Sequence, residues 1–214
     1  MNKESFANKK YLEFSNYEGS QHIASEFAIF KVLELAEKFN AKSFLEIGLG
    51  IGSIVSSITD YFPKEAISYV GTEANEFCLN SLKTNLKDNY TSVQIFHDLP
   101  QITIEKKYDF MIIDGKCSGL NGIENNVNKN AILCIEGDRQ DQVAEVKKVF
   151  PKAIDVHLIS DKKNSDGGVF DTNAYQGGIK VFFVDPTFGQ RVYWLKEKIK
   201  TKKIYKKRIG NQDE

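Results

Sequence analysis

Apolar residues recur along this chain in two alternating rhythms, short unbroken runs and stripes with steps of three and four. Ile23, Phe27, Phe30 and Leu33 form the first stripe and predict a helix over 22–39 with one face in a core. The run at 43–47 reads as a short buried strand, followed by a glycine turn and a helix that Pro63 stops near Phe62. A strand over 67–73 follows. Asn75 is placed to cap the next helix, whose apolar Cys78, Leu82 and Leu86 repeat every four residues up to position 88. Residues 92–96 predict a third strand. Residues 108–114, almost wholly apolar, predict a fourth, of the kind that lies centrally in a parallel sheet and is buried on both faces. The polar stretch 121–130 is a poor helix at best. A fifth strand at 131–135, a short helix carrying Val143, Val146 and Phe150, and two last strands at 153–159 and 178–184 complete the pattern.

Strand and helix alternate until the last two strands, which a Gly/Asp/Asn-rich loop joins instead of a helix. Without a crossover helix such neighbours pair antiparallel. The pattern therefore predicts an α/β fold: a doubly wound, mostly parallel seven-stranded sheet with a final antiparallel strand. It assigns 22–185 to one domain, 1–21 to an N-terminal arm and 186–214 to a basic C-terminal extension. The arm is polar with interspersed Phe6, Tyr11, Phe14 and Tyr17, and is expected to be loosely ordered with its aromatics docked on the domain. A sharper reading has Tyr11 or Tyr17 covering a substrate cleft.

Composition adds mainly exclusions. The 214 residues suffice for one α/β domain, and 29 basic against 29 acidic side chains give no overall charge for a polyanionic partner. Cys78, Cys117 and Cys134 lack metal-ligand spacing and are expected to be packed free thiols. The first residues have no apolar signal core and no run approaches bilayer length, so the expected location is cytoplasmic.

The chemistry gathers at the carboxyl ends of the predicted strands. After the first comes Glu46-x-Gly48-x-Gly50-x-Gly52, an acid and three alternating glycines at the entry to a helix. A dinucleotide fingerprint would need its third glycine at position 53, which is Ser53, and no Gly-Lys-Ser/Thr follows for a phosphate-binding P-loop. Glu73 ends the second strand 21 residues beyond Gly52, where α/β folds place an acid on ribose hydroxyls; it also suits the start of the next helix. Asp98 follows the third strand and Asp114 ends the fourth. In a doubly wound sheet all of these line one crevice. The bland alternative is a tight strand-to-helix turn that binds nothing.

This set, over 22–185, resembles the class I S-adenosylmethionine (SAM) dependent methyltransferases and their Rossmann-like fold. The resemblance implies that Gly48, Gly50 and Gly52 let backbone pass close to SAM and that Glu46 orients its methionine amino end. It further implies Glu73 on the ribose, Asp98 on the adenine amino group, and Asp114 near the sulfonium and the acceptor. A cationic cofactor tolerates such acids where a pyrophosphate would be repelled. On the acceptor side, Asp114 and Glu136 are the candidate catalytic residues. The catechol and caffeoyl-type subgroup holds a divalent cation with an Asp after the fourth strand and an Asp-Asn pair after the fifth. Here Glu136-Gly137-Asp138 replaces that pair, so a divalent cation is not favoured and Asp138 reads more simply as a helix-start acid. Lys116 does not fit the subgroup's catalytic lysine, and no Asn-Pro-Pro-Tyr-type tetrapeptide marks amino methylation. The long loop 160–177, with Tyr175, is a candidate lid.

The expected function is methyl transfer from SAM to a small-molecule acceptor, at oxygen. The alternatives are a catalytically silent SAM-fold binding protein and an RNA-modifying enzyme docking through its basic tail. The charge balance leaves nucleic acid the less favoured partner.

Overall fold

A computed structural model of the chain describes residues 1–102, 106–115, 120, 122–137 and 139–210. Cys117, Lys116 and Asp138 lie outside the described residues. The strands β1 (Ser43–Ile47), β2 (Ser68–Thr72), β3 (Val93–Phe96), β4 (Tyr108–Ile113), β5 (Val127–Glu136), β6 (Ile154–Ile159) and β7 (Gly178–Phe183) form one sheet in the order β3-β2-β1-β4-β5-β7-β6. Only β7 runs against its neighbours, pairing antiparallel with both β5 and β6. This is the predicted mostly parallel sheet with one reversed strand.

Alternate residues along each strand enter separate cores, as a pleated sheet requires. Phe44, Tyr69, Phe110, Cys134 and Val181 face one side; Leu45, Val70, Met111, Leu133 and Phe182 face the other. Helices α2 (Glu26–Lys38) and α3 (Ser53–Tyr61) cover the first face, and α5 (Gln140–Val149) the second with Val146. Helix α4 (Glu76–Asn85) is capped by Asn75, whose side chain accepts from the Cys78 amide. Cys134 is fully buried and Cys78 partly so, both as free thiols.

Two expectations change. First, residues 3–15 are not a loose arm but a helix, α1 (Lys3–Ser15), started by Asn2, whose side chain accepts from the Ser5 amide. It buries Ala7, Lys10, Tyr11 and Phe14, with the Lys10 ammonium between Glu13 at 2.9 Å and Asp60 at 2.5 Å. Second, β5 begins at Val127 and not at 131, so the last four positions of the polar stretch 121–130 are strand, preceded by a 3-10 turn over Ile123–Asn126. The basic C-terminal extension is a 23-residue helix, α6 (Phe188–Gly210), laid along β6. Trp194 Nε1 donates to the Asp155 carbonyl and Thr201 Oγ1 to that of His157, and Tyr193 joins Phe39 and Phe183 in the core. Among the described residues no helix is long and apolar enough to cross a membrane.

Candidate active site

The glycine turn sits between β1 and α3, beside the point where strand order reverses from β1 to β4. Its three glycines serve different ends. Gly48 (φ 84°) must be glycine because a Cβ there would lie 2.3 Å from the Gly115 Cα, so the ends of β1 and β4 touch backbone to backbone. Gly52 (φ 99°) abuts Leu82 and leads into α3. Gly50 (φ 54°) alone of the three faces open space in the direction a side chain would take.

The acids are distributed around this turn. Glu73 is its clasp: Oε2 accepts from the Gly50 amide at 2.7 Å, and Oε1 accepts from the amides of Ala74 and Asn75 at the start of α4. One carboxylate thus fixes the glycine turn to the following helix. Glu46 is buried beneath the turn, 1% exposed. The Tyr69 hydroxyl donates to its Oε2, while Oε1 has no partner. Burial pushes its carboxyl well above the usual range, against the Tyr69 hydrogen bond, and the charges of Asp114 and Glu73 push the same way. Asp98 stands exposed after β3, the edge strand, beside His97.

Asp114 and Glu136 end the adjacent strands β4 and β5. Burial first, then the Glu136 charge, raises the Asp114 carboxyl to about 8, although Arg139 pairs with it at 3.0 Å and opposes the rise. The same arginine donates through Nε to the Glu136 carbonyl and through an Nη to the Asp114 carbonyl. Glu136 Oε1 accepts a long bond, 3.4 Å, from the Ser25 amide at the start of α2, and burial raises its carboxyl too. Glu73, Glu46, Asp114 and Glu136 therefore form a continuous run of acids in which neighbours sense one another. Among the described residues, Arg139 is the single guanidinium set into it.

Arg139 had no assigned role from the sequence, where nothing but its position after Glu136 marks it. Phe77 was also missed. Its half-exposed ring, in the first turns of α4, packs on Gly19, which also touches Ile51 at the glycine turn. The expected lid behaves differently from its parts. Tyr11 is buried, stacked on Phe170 at 5.8 Å, and its hydroxyl accepts from the Phe170 amide. Tyr17 donates to Glu13, and Tyr175 lies between Lys163 and Arg208 at the sheet edge. The loop residue beside Ser25 is Gly177.

A SAM-type cofactor fits these residues on two observations. The space over Gly50 admits a ligand against backbone, and the run of carboxyls suits a sulfonium and an ammonium. Among the described residues no three His, Cys, Asp or Glu side chains are grouped to hold a metal ion.

No protein-family model and no curated protein matches this sequence. Solved structures do. The O-methyltransferase from Bacillus cereus in complex with S-adenosylhomocysteine (SAH) is 13% identical, with 84% of this chain and 90% of that one covered and a TM-score of 0.57. The SAM complex of the O-methyltransferase TomG from Streptomyces achromogenes, involved in tomaymycin synthesis, is 14% identical over 86% and 90%, TM-score 0.57. The SAH-bound methyltransferase PaMTH1 from Podospora anserina is 14% identical over 82% and 86%, TM-score 0.56. With its sheet order and glycine turn, the chain has the fold of the class I SAM-dependent methyltransferases.

Proposed function

We propose that this protein transfers a methyl group from SAM to a hydroxyl oxygen of a small-molecule acceptor. The observation that carries the reading is the clasp between Glu73 and the Gly50 amide. In a dinucleotide fold the turn amides face a pyrophosphate. Here the one under open space is already bonded to a carboxylate, with three further acids beyond it. That amide is thereby closed to a phosphate, and the carboxylate beside it favours a cation. The two neighbours named above as O-methyltransferases, bound to SAH and SAM, support the same cofactor and reaction.

Bound SAM supplies an electrophilic methyl group, and the protein's tasks are to position it and receive the acceptor's proton. Gly50 offers backbone approach, Glu73 has lone pairs left for ribose hydroxyls, and Phe77 offers an apolar ring at the crevice edge. Glu46 underlies the turn, and Asp98 lies on the side where adenine would extend. Asp114, raised to about 8, is basic enough to take a proton from an acceptor hydroxyl. Glu136 shares that role from the next strand, and Arg139 holds both in place and stabilises the anionic form.

Calorimetric titration with SAH tests the cofactor. Wild type should bind, and Glu73→Ala should weaken binding by about 1.5–3 kcal/mol, the worth of a charge-assisted contact. A folded wild type that takes up no SAH at millimolar ligand ends the assignment.

A further inference from the structure

Helix α6 has two faces, and only one is used by the domain. Tyr193, Thr201 and Ile204 are buried against β6 and its surroundings. On the opposite side Phe188 is 84% exposed, with Val192, Leu195 and Ile199 also open. At 3.6 residues per turn these four fall within about 60° of one another around the axis, a continuous apolar ridge over the first three turns. Basic side chains flank it on both sides: Lys196, Lys200 and Lys203 on one, Arg191, Lys198 and Lys202 on the other. The helix carries nine basic residues and one acid, Glu197, which is turned toward buried Lys31. Because the whole chain is neutral, the rest of the molecule is acidic by the same excess.

We infer that α6 docks the protein on the surface of an anionic lipid bilayer, lying in the plane of the interface with Phe188, Val192, Leu195 and Ile199 inserted. A ridge of aromatic and aliphatic side chains bordered on both sides by lysines lets the stems stay in the apolar layer while the ammonium groups reach anionic headgroups. The occupant is chosen by charge and by polarity together. A second copy of α6 would set one strongly basic helix against another. Nucleic acid would satisfy the lysines but leave four aliphatic and aromatic side chains without a partner. The charge separation of the molecule also orients it, since an anionic surface attracts α6 and repels the acidic body.

Cosedimentation of the full chain with vesicles tests the inference. The protein should pellet with phosphatidylcholine vesicles containing phosphatidylglycerol, not with phosphatidylcholine alone, and added salt should release it. Leu195→Asp with Ile199→Asp should lower binding at least about tenfold. Both positions are exposed, so the melting temperature should hold and the loss cannot be blamed on unfolding. Absence of wild-type binding to the anionic vesicles overturns the inference, as does binding that the double substitution leaves unchanged. Retention of single-stranded RNA by wild type and double variant alike, without vesicle binding, would assign the helix to nucleic acid. A dimer in solution that the double substitution splits would assign the ridge to a second copy.

Discussion

Asp114 shows how one residue's chemistry is set by its neighbours. Its carboxyl is buried, faces the Glu136 charge and is paired with Arg139, and the first two effects win, giving a value of about 8 against an ordinary 3.8. This has a direction in pH. Below about 4 the folded and unfolded chains both hold the proton, and the group's stabilising share is fully present. Between about 4 and 8 the unfolded chain releases the proton while the folded one retains it, so stability falls as pH rises. Thermal melts across that window should show the decline, and Asp114→Asn should make it shallower without abolishing it, because Glu136 and Glu46 are raised in the same sense. A variant with an unchanged slope would show that Asp114 is already ionised throughout. Asp114 and Glu136 were legible as positions in the sequence, since each ends a recognisable apolar run. Their partners were not. Arg139 reaches Asp114 across 25 positions of chain, and the Ser25 amide reaches Glu136 across 111; neither separation leaves a local pattern.

At the scale of elements, the two ends of the chain were the least legible, and for related reasons. In α1 the buried positions are Ala7, Lys10, Tyr11 and Phe14. A small residue and a cation occupy half of that face, so the helical stripe does not show as hydrophobicity. The Asn2 cap and Glu4 in the first turn were the available signal. In α6 apolar residues lie on both faces, which cancels the contrast an amphipathic pattern depends on. In the sequence the residues beyond Lys202 stand out mainly by their charge. The structure places Ile204 against the domain, 7% exposed, and has Arg208 donating to the Ser160 and Gln176 carbonyls, where the 160–177 loop begins and ends. Deleting residues from Lys202 onward should therefore cost about 2–3 kcal/mol and lower Tm on the order of 5–10 °C. A scanning calorimetry trace within about 2 °C of wild type would show the last turns to be inert.

Taken whole, the molecule places different polar groups at the two ends of its strands. The carboxyl ends carry the glycine turn and the acids. The amino ends carry a cavity of about 520 Å³ lined by residues including Phe39, Asp109, Asn128 and Gln190. Size alone would make that cavity the binding site, but Asp109 is already committed there. Its Oδ2 accepts from the amides of Lys42 and Ser43 and from Ser43 Oγ, and its Oδ1 accepts from Asn128 at 2.7 Å. The carboxylate thereby ties together the starts of β1, β4 and β5. Burial would raise its pKa, but these hydrogen bonds prevail and hold it below the ordinary value. The stabilisation is present above the unfolded chain's pKa and is lost as pH falls through the folded one. The sheet's alternation and order were legible because apolar runs and turn residues encode them locally. The wiring at this end was not, since Asp109 sits inside a run that reads only as strand. Asp109→Ala should cost about 2–3 kcal/mol, with Tm lower by roughly 5–10 °C, and should reduce the loss of stability in acid. SAH affinity should stay within about twofold of wild type, a change of under 0.5 kcal/mol. If Asp109→Ala abolished SAH binding while the protein stayed folded, the ligand would belong in the amino-end cavity, and the crevice assignment would fall with it.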